Sequence, residues 1–427
     1  MSRTQSRRSG ARTTFALLLA GACLTAVSAP TAAGAVGAAG RPAGGPPVHA
    51  EAVTSVQVPP GVTAGVAVYD RQTGTFTEQL NSSTQFRSAS VVKLLIALDY
   101  LWNRGPTYDI PSADRARLDA MLRSSDDDAA SYYWLNNGGG AIVDRMVTRL
   151  ALTDTARPPA TSAGVWGYTA VTAADTVRIY RYLLEQAPAA VRDFVLGNLH
   201  ASTRCGTDGF DQHFGIAGSF AQSWAVKQGW SGFSSGGCTP QPPHPPTVAS
   251  VDTPNAAGEA GGTGTTGDGR EVREAGEAGE AGEAGTLAVD LTRPVLHSTG
   301  TVGTGDRTIV AVYTSHPVGT TYGKAYTDLG RLTRSLSVPG AVQPAGTWFG
   351  TWGENVRVRP QANTSQSAIT VLPAGVEVLV TCQKQGETVS VPPYTNDWWA
   401  YLPQYGGYVT NIYLQSPGNQ LPGVGTC

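Results

Sequence analysis

The sequence is short of charge, of cysteine and of histidine. Charged residues make up 15% of its 427 positions and the formal net charge is −2, so the composition gives no indication of nucleic-acid binding. The six histidines are scattered, and neither a C-x-x-C nor an H-E-x-x-H pattern occurs. We therefore predict no metal site and no cofactor. Glycine, with 52 residues, is by contrast abundant.

The first 35 residues have the composition of an export signal. A segment with four arginines precedes the apolar run 15–27, which is too short to span a bilayer. Small residues follow, and cleavage is expected after Ala29 or Ala35. Residues 36–60 are rich in alanine, glycine and proline and predict a linker.

Two details leave the export route open. The pair Arg7–Arg8 is compatible with the twin-arginine route, although the residues that follow match it poorly. Cys23 would carry the lipid in a lipoprotein, but the residues before it lack the large aliphatic side chain of a lipobox. We expect a secreted or cell-envelope protein and favour a cleaved signal over a lipid anchor.

Four cysteines remain once Cys23 leaves with the signal. An even number of cysteines in an exported protein predicts two disulfides. Cys205 and Cys238 fall in one predicted domain, and Cys382 and Cys427 fall in the next. We expect each pair to form within its own domain.

Residues 86–101, FRSASVVKLLIALDYL, predict a helix with a reactive serine at its start. Apolar residues cover most of the helix circumference, which predicts burial in a core. Ser90 and Lys93 are three residues apart and lie on one face of the first turn. An amine beside a hydroxyl at a helix N-terminus is a way to activate a serine without histidine. An N-cap serine with a snorkelling lysine is the structural alternative.

The residues around this helix alternate between strand and helix signals. A predicted hairpin at 63–80 precedes the serine, several amphipathic helices follow it, and strands and a final helix close the segment. Residues 239–286 are rich first in proline and then in repeated Glu-Ala-Gly, and they predict a disordered insertion. Residues 339–348 predict a second linker.

Three short motifs resemble those of class A β-lactamases and penicillin-binding proteins. These families carry S-x-x-K, S-D-N and K-T-G in this order. The chain has Ser90–Lys93, then Ser125–Asp127 with Asp for Asn, then Lys227–Gly229 with Gln for Thr. The resemblance implies an α+β domain over 61–338, with an antiparallel sheet flanked by helices and a separate all-helical part.

The resemblance also implies a role for each motif residue. Ser90 would attack a carbonyl, and Lys93 would accept its proton or set the local field. Ser125 would relay the proton to the leaving nitrogen, and Lys227 would hold a substrate carboxylate. The backbone N–H groups of Ser90 and Trp230 would form the oxyanion hole.

Further implied substrate contacts come from the second and third motifs, namely Asp127, Gln228 and Gly229. The implied substrates are peptidoglycan-type peptides or β-lactams.

Two departures from the family pattern shape the expected activity. Between Asp154 and Asp175 the chain has no carboxylate, so the base that would activate a deacylating water is missing. Asp127 accepts hydrogen bonds where the family's Asn donates, and it could pair with Lys93 and keep that lysine protonated. We expect a persistent acyl-enzyme; the alternative is a catalytically degraded scaffold that binds the cell wall.

A rival nucleophile lies in residues 232–236, which fit G-x-S-x-G. In an α/β-hydrolase that serine, here Ser234, begins a helix. Gly237, Cys238 and a proline tract follow instead, so we interpret the segment as a loop that leads to a disulfide.

Residues 349–427 carry strand and turn signals and predict a small all-β barrel. They resemble bacterial SH3-like domains in NVRVRP, DWWAYL and GGYVTNIYL, and that family commonly binds peptidoglycan peptides through aromatic grooves. Strand alternation places about half of the aromatic residues in the core. The wall-binding candidates are Trp398, Trp399, Tyr401 and Tyr408.

Overall fold

The structure is a computed structural model that describes residues 56–238 and 289–427. The predicted signal peptide 1–35, most of the linker 36–60 and the predicted insertion 239–286 lie outside the described residues.

Among the described residues, five strands form one antiparallel sheet in the order β2–β1–β7–β6–β5. Strands β1, β6 and β7 are buried along nearly their whole length, because helices and the C-terminal part cover both faces of the sheet. A separate two-stranded ladder joins β3 to β4. The bounds are β1 Thr63–Asp70, β2 Thr75–Leu80, β3 Phe86–Arg87, β4 Ala170–Val171, β5 Trp224–Ser231, β6 Val295–Val302 and β7 Thr308–Ser315.

Among the described residues, four α-helices lie between β3 and β4, three lie between β4 and β5, and one follows β7. Asp126 caps α3 by accepting from the N–H of Ala129 at 2.7 Å, and Thr172 caps α5 by accepting from the N–H of Asp175 at 3.1 Å. The bounds are α1 Lys93–Trp102, α2 Ser112–Arg123, α3 Asp127–Asn136, α4 Ala141–Leu150, α5 Ala173–Glu185, α6 Ala189–His200, α7 Ile216–Ser219 and α8 Tyr322–Arg334.

Helix α1 is buried on nearly every side, as its apolar circumference predicts. Its leucines and Ile96 lie in a core formed with the neighbouring helices and one face of the sheet. Its buried Asp99 accepts from Arg145 at 2.7 Å and from Arg149 at 3.0 Å, which compensates the buried carboxylate. The predicted α+β class is confirmed by this arrangement of an antiparallel sheet with helices.

The C-terminal part is built from short antiparallel strands. Strand β12 pairs with β13, which pairs with β14, while β8 pairs with β11 and β9 with β10. Strand β8 begins at Thr347, inside the predicted second linker. The bounds are β8 Thr347–Gly350, β9 Arg357–Val358, β10 Thr370–Val371, β11 Glu377–Val380, β12 Cys382–Val391, β13 Tyr394–Leu402 and β14 Gly407–Thr410.

A second hydrophobic core is shared by the sheet, by α8 and by the C-terminal strands. It includes Val312 of β7, Leu329 of α8 and Val378 of β11. Glu377 reinforces this contact because its carboxylate pairs with Arg331 at 3.2 Å and with Arg334. Within 56–238 and 289–427, no helix has both the length and the hydropathy needed to cross a membrane.

Candidate active site

Ser90 lies in a single 3-10 turn, Ala89–Val92, that precedes α1. The sequence predicts Ser90 at the start of the α-helix, but the α-helix begins three residues later, at Lys93. Ala89 has a left-handed backbone with φ 44°, so the chain bends sharply just before the serine. The bend packs the turn against β5 and presents Ser90 at the wall of a cleft.

The amine of Lys93 is fully buried and lies at the centre of the site. It donates to Ser90 Oγ at 2.9 Å, to the backbone oxygen of Ser125 at 2.6 Å and to Asp127 Oδ1 at 2.5 Å. Burial lowers the pKa of Lys93, and the Asp127 carboxylate opposes that effect. The predicted pairing of Lys93 with Asp127 is present, and Lys93 nevertheless stays in contact with Ser90.

Ser125 joins the two lysines. Its Oγ accepts from Lys227 Nζ at 2.9 Å and lies 3.3 Å from Lys93 Nζ. Lys227 is also buried, and burial together with the nearby charge of Lys93 lowers its pKa well below the usual range. The structure thus brings Ser90, Lys93, Ser125 and Lys227 together in one connected hydrogen-bond network.

A cleft of about 230 Å³ opens beside Ser90. Asp127, whose side chain is 60% exposed, lies on its wall, and so does Trp230 of β5. The two residues whose N–H groups are predicted to form the oxyanion hole, Ser90 and Trp230, therefore border the same space. A bound carbonyl in this cleft would lie next to both.

The loop between β4 and the preceding helix α4 closes another side of this cleft. Buried Asp175 organises the loop by accepting from the N–H groups of Thr153 at 3.1 Å and Asp154 at 2.8 Å. The loop brings the ring of Trp166 to 4.7 Å from Lys93 Nζ, a cation–π distance. An aromatic side chain of this loop therefore covers the Lys93 amine.

Asp208 is a cleft residue that the sequence analysis missed. Its Oδ2 accepts from Trp230 Nε1 at 2.9 Å, and burial raises the pKa of its carboxyl. No motif singles out this residue, because it lies in an irregular loop and reaches the cleft through the fold. Trp166 was missed for the same reason.

Gln228 and Gly229 of the third motif differ in their surroundings. The amide of Gln228 donates to the backbone oxygens of Gln212 at 2.9 Å and Phe214 at 2.7 Å, and the side chain is buried away from the cleft. The prediction that Gln228 contacts substrate is therefore not supported by its position. Gly229 packs against the serine turn, where an added Cβ would lie 2.9 Å from the oxygen of Ser88.

The rival serine motif does not form a nucleophile elbow. Residues 232–238 run irregularly to Cys238, and the ring of Phe233 packs on Tyr322. Cys238 forms the predicted disulfide with Cys205, and Cys382 forms the other with Cys427. In the part of the chain that is described, His, Cys, Asp and Glu form no cluster of three or more able to hold a metal.

The predicted wall-binding aromatic residues differ in exposure. Trp399 is buried in the C-terminal core, where its Nε1 donates to the oxygen of Glu387 at 2.9 Å. The rings of Tyr401 and Tyr408 pack together at 5.0 Å, and Lys384 lies over Tyr408. Trp398 is half-buried. Trp399 is thus a core residue, as strand alternation predicts for some members of this set.

No family model matches the chain. It is similar to proteins named "Putative lipoprotein LppW" from Mycobacterium bovis and Mycobacterium tuberculosis, with 38% identity over 190 residues. The match covers 43% of this chain and 59% of each relative, so the chain spans less than two thirds of the relatives' length.

Several solved structures have a weak overall similarity to this chain. A class A β-lactamase from Mycobacterium abscessus is 15% identical with a TM-score of 0.41, covering 64% of this chain and 92% of that one. A structure of PBP-A is 13% identical with a TM-score of 0.42, covering 66% and 92%.

Proposed function

We propose that the chain is an exported serine hydrolase of the penicillin-recognising kind, acylated at Ser90 by peptidoglycan-type peptides or β-lactams. The observation that carries this proposal is the network in which Lys93 Nζ lies 2.9 Å from Ser90 Oγ and 3.3 Å from Ser125 Oγ. These contacts support the proposed roles of Lys93 as the proton acceptor and of Ser125 as the relay hydroxyl.

Acylation would proceed by attack of Ser90 Oγ on the substrate carbonyl. Lys93, as the neutral amine, takes the Ser90 proton, and the carbonyl oxygen gains negative charge beside the N–H groups of Ser90 and Trp230. The carbon–nitrogen bond then breaks, Ser125 passes its hydroxyl proton to the leaving nitrogen, and Lys93 returns the proton taken from Ser90 to Ser125. The serine ends as an ester of the acyl group.

The charge balance of the site supports a role for both lysines. Two buried amines share one close carboxylate, and two neighbouring buried positive charges are unfavourable. Lys227 is the amine farther from Asp127's hydrogen bond, and its pKa is lowered well below normal. We therefore expect at least one of the two amines to be neutral, and acylation requires the neutral form at Lys93.

Deacylation is expected to be slow. No carboxylate lies between Asp154 and Asp175, and Trp166 from the same loop covers the Lys93 amine. A water molecule would have to be activated by another group, so the ester at Ser90 should persist.

The second candidate function is a catalytically degraded scaffold that binds the cell wall. The contact between Lys93 and Asp127 at 2.5 Å favours it, because a carboxylate at this distance stabilises the protonated amine. Under this alternative the cleft would hold a ligand without covalent turnover.

An exported location fits both candidates. Two disulfides are stable in an oxidising compartment, and the relatives carry the word lipoprotein in their names. Lipidation at Cys23 and cleavage of a signal peptide would each place the chain outside the cytoplasm. A C-terminal part of SH3-like type would then hold the enzyme near the wall.

A fluorescent penicillin tests the proposal directly. We expect covalent labelling of the full chain, an intact-mass increase of one penicillin, and a loss of at least about 100-fold in Ser90→Ala. Ser234→Ala, which removes the rival serine, should label normally. Absence of label in the unmodified chain, or label that survives Ser90→Ala, would contradict the acyl-enzyme and favour the scaffold.

A further inference from the structure

A cavity of about 400 Å³ lies in the C-terminal part of the chain. Its walls are Trp352, the start of β13 at Tyr394, the turn at Asn411 and Ile412, and the segment 414–419. None of these residues lines the Ser90 cleft as the structure describes it, so the cavity is a second, separate site.

Aromatic rings form one wall of this cavity. Trp352 is 36% exposed and Tyr394 is 58% exposed, and their ring centroids lie 5.8 Å apart at an angle of 61°. Tyr413 supports Trp352 from behind at 5.4 Å. Exposed aromatic rings beside a cavity are typical of ligand-binding sites, because a bound ligand buries their apolar surface.

The remaining lining is polar but uncharged. Across the described chain, no Asp, Glu, Lys, Arg or His contributes to the wall, whereas side-chain amides are frequent. Gln415 and Asn419 are exposed at the rim. A ligand with formal charge would find no counter-charge here, so the lining favours a neutral ligand that both donates and accepts hydrogen bonds.

Asn411 provides an independent indication of a missing polar partner. Its side chain is 2% exposed, and its Nδ2 donates to Gln383 Oε1 and to the oxygen of Asn419, both at 3.0 Å. Its Oδ1 finds no hydrogen-bond partner anywhere in the described ranges. An unpaired buried acceptor is unfavourable, and a donor from a ligand or from a ligand-bound water would relieve it.

We propose that this cavity binds an uncharged saccharide. A pyranose ring has an apolar C–H face that packs on an aromatic ring and a rim of hydroxyl groups that pair with side-chain amides. Trp352 and Tyr394 offer the rings, and Gln415 and Asn419 offer exposed amides. Asn411 adds an unpaired acceptor, Oδ1, and the uncharged lining favours a neutral ligand. This assignment is independent of acylation at Ser90. It also differs from the predicted wall-binding set, which is Trp398, Trp399, Tyr401 and Tyr408.

Calorimetric titration of the full chain tests this site, with chitotetraose, an uncharged β-1,4-linked tetramer of N-acetylglucosamine, as the probe. Cellotetraose, the matching glucose tetramer, shows whether the acetamido group matters. We expect saturable binding that Tyr394→Ala weakens at least tenfold and that Trp352→Phe, which keeps a ring, weakens less than Trp352→Ala. The matched control is Tyr132→Ala, which removes an exposed tyrosine from α3 and should bind normally.

Circular dichroism and thermal unfolding of each variant confirm that it is folded. The proposal is overturned if neither tetrasaccharide binds at millimolar concentration, or if binding is the same in Tyr394→Ala and Trp352→Ala as in the unmodified chain. Binding of a tetra-alanine peptide that is capped at both ends, and therefore uncharged, in place of the saccharides would likewise overturn the proposal and assign the cavity to peptides.

Discussion

At the scale of single residues, Lys93 is the position on which the proposed chemistry depends. Its amine donates hydrogen bonds both to the hydroxyl of Ser90 and to the carboxylate of Asp127. The carboxylate stabilises the protonated form, and burial stabilises the neutral form. The protonation state of this one amine therefore decides whether the site is an enzyme or a scaffold.

Asp127→Asn tests this balance. Removing the carboxylate takes away the group that raises the pKa of Lys93, while burial continues to lower it. The neutral amine that accepts the Ser90 proton would then be present at lower pH. We expect the acidic limb of the pH profile for penicillin acylation to move to lower pH by about 1 to 3 units, measured by the rate of labelling.

Asp128→Asn is the matched control, because it makes the same charge change on the next residue of α3, where the side chain is exposed. Its pH profile should stay within a few tenths of a unit of the parent profile. If the pH profiles of both variants shift equally, the shift comes from the overall negative charge of α3 and not from the contact between Asp127 and Lys93. If neither shifts, Lys93 is not the acceptor of the proton.

At the scale of elements, the serine turn depends on the close approach of β5. Gly229 faces the turn, and an added Cβ would lie 2.9 Å from the oxygen of Ser88 and 3.1 Å from Val91 Cγ2. Backbone atoms cannot yield at such a distance without moving the turn. The absence of a side chain at Gly229 therefore permits β5 to pack closely against the serine turn.

Gly229→Ala should displace the turn and lower the rate of acylation more than it lowers stability. We expect a loss of about 1 to 3 kcal/mol in the free energy of unfolding, together with a labelling rate reduced at least about tenfold. Chemical denaturation measures the free energy of unfolding, and penicillin labelling quenched at a series of times measures the rate of acylation.

Gly197→Ala is the control for this change. Gly197 lies within α6, and an added Cβ there would meet no atom within 4 Å. Alanine in a helix interior is favourable by about 0.5 to 1 kcal/mol relative to glycine, so this variant should be at least as stable and label at the parent rate. A normal labelling rate in Gly229→Ala would refute the positioning role of the glycine.

At the scale of the whole molecule, the C-terminal part is packed onto the first part through a continuous core. Apolar residues of β7, α8 and β11 lie in the same cluster. Polar contacts accompany them: Tyr405 Oη donates to Asp211 at 3.2 Å, and the N–H of Glu377 donates to Thr327 at 2.9 Å. The predicted domain boundaries remain predictions, but the interface between the two predicted domains is extensive.

Thermal unfolding should therefore occur as one cooperative transition, with a calorimetric enthalpy close to the van't Hoff enthalpy. Glu377→Gln breaks the pairs with Arg331 and Arg334 and should cost about 1 to 3 kcal/mol, because the largely buried Arg334 loses its partner while the exposed Arg331 contributes little. Glu387→Gln, which alters an exposed contact with Thr364, should leave the transition temperature nearly unchanged. Two separate transitions in the unmodified chain would contradict the shared core.

Local sequence patterns were sufficient to predict the elements and the motifs. The apolar period of residues 86–101 and the cysteine count are properties of neighbouring residues or of simple totals, and each has its predicted counterpart in the structure. Strand alternation could also have placed Gln228 on the face opposite Lys227. The order of Ser90, Ser125 and Lys227 along the chain predicted that these three residues lie in one site.

The fold alone decided how these side chains meet. Trp166 and Asp208 reach the cleft through irregular loops, whose paths follow from long-range packing and from anchors such as Asp175. The contact between Lys93 and Asp127 depends on the placement of α3 beside α1, and the aromatic cavity at Trp352 and Tyr394 joins residues more than 40 positions apart. The local sequence determines which side chains are available on each element. The distances between side chains of different elements are determined only when the core packs.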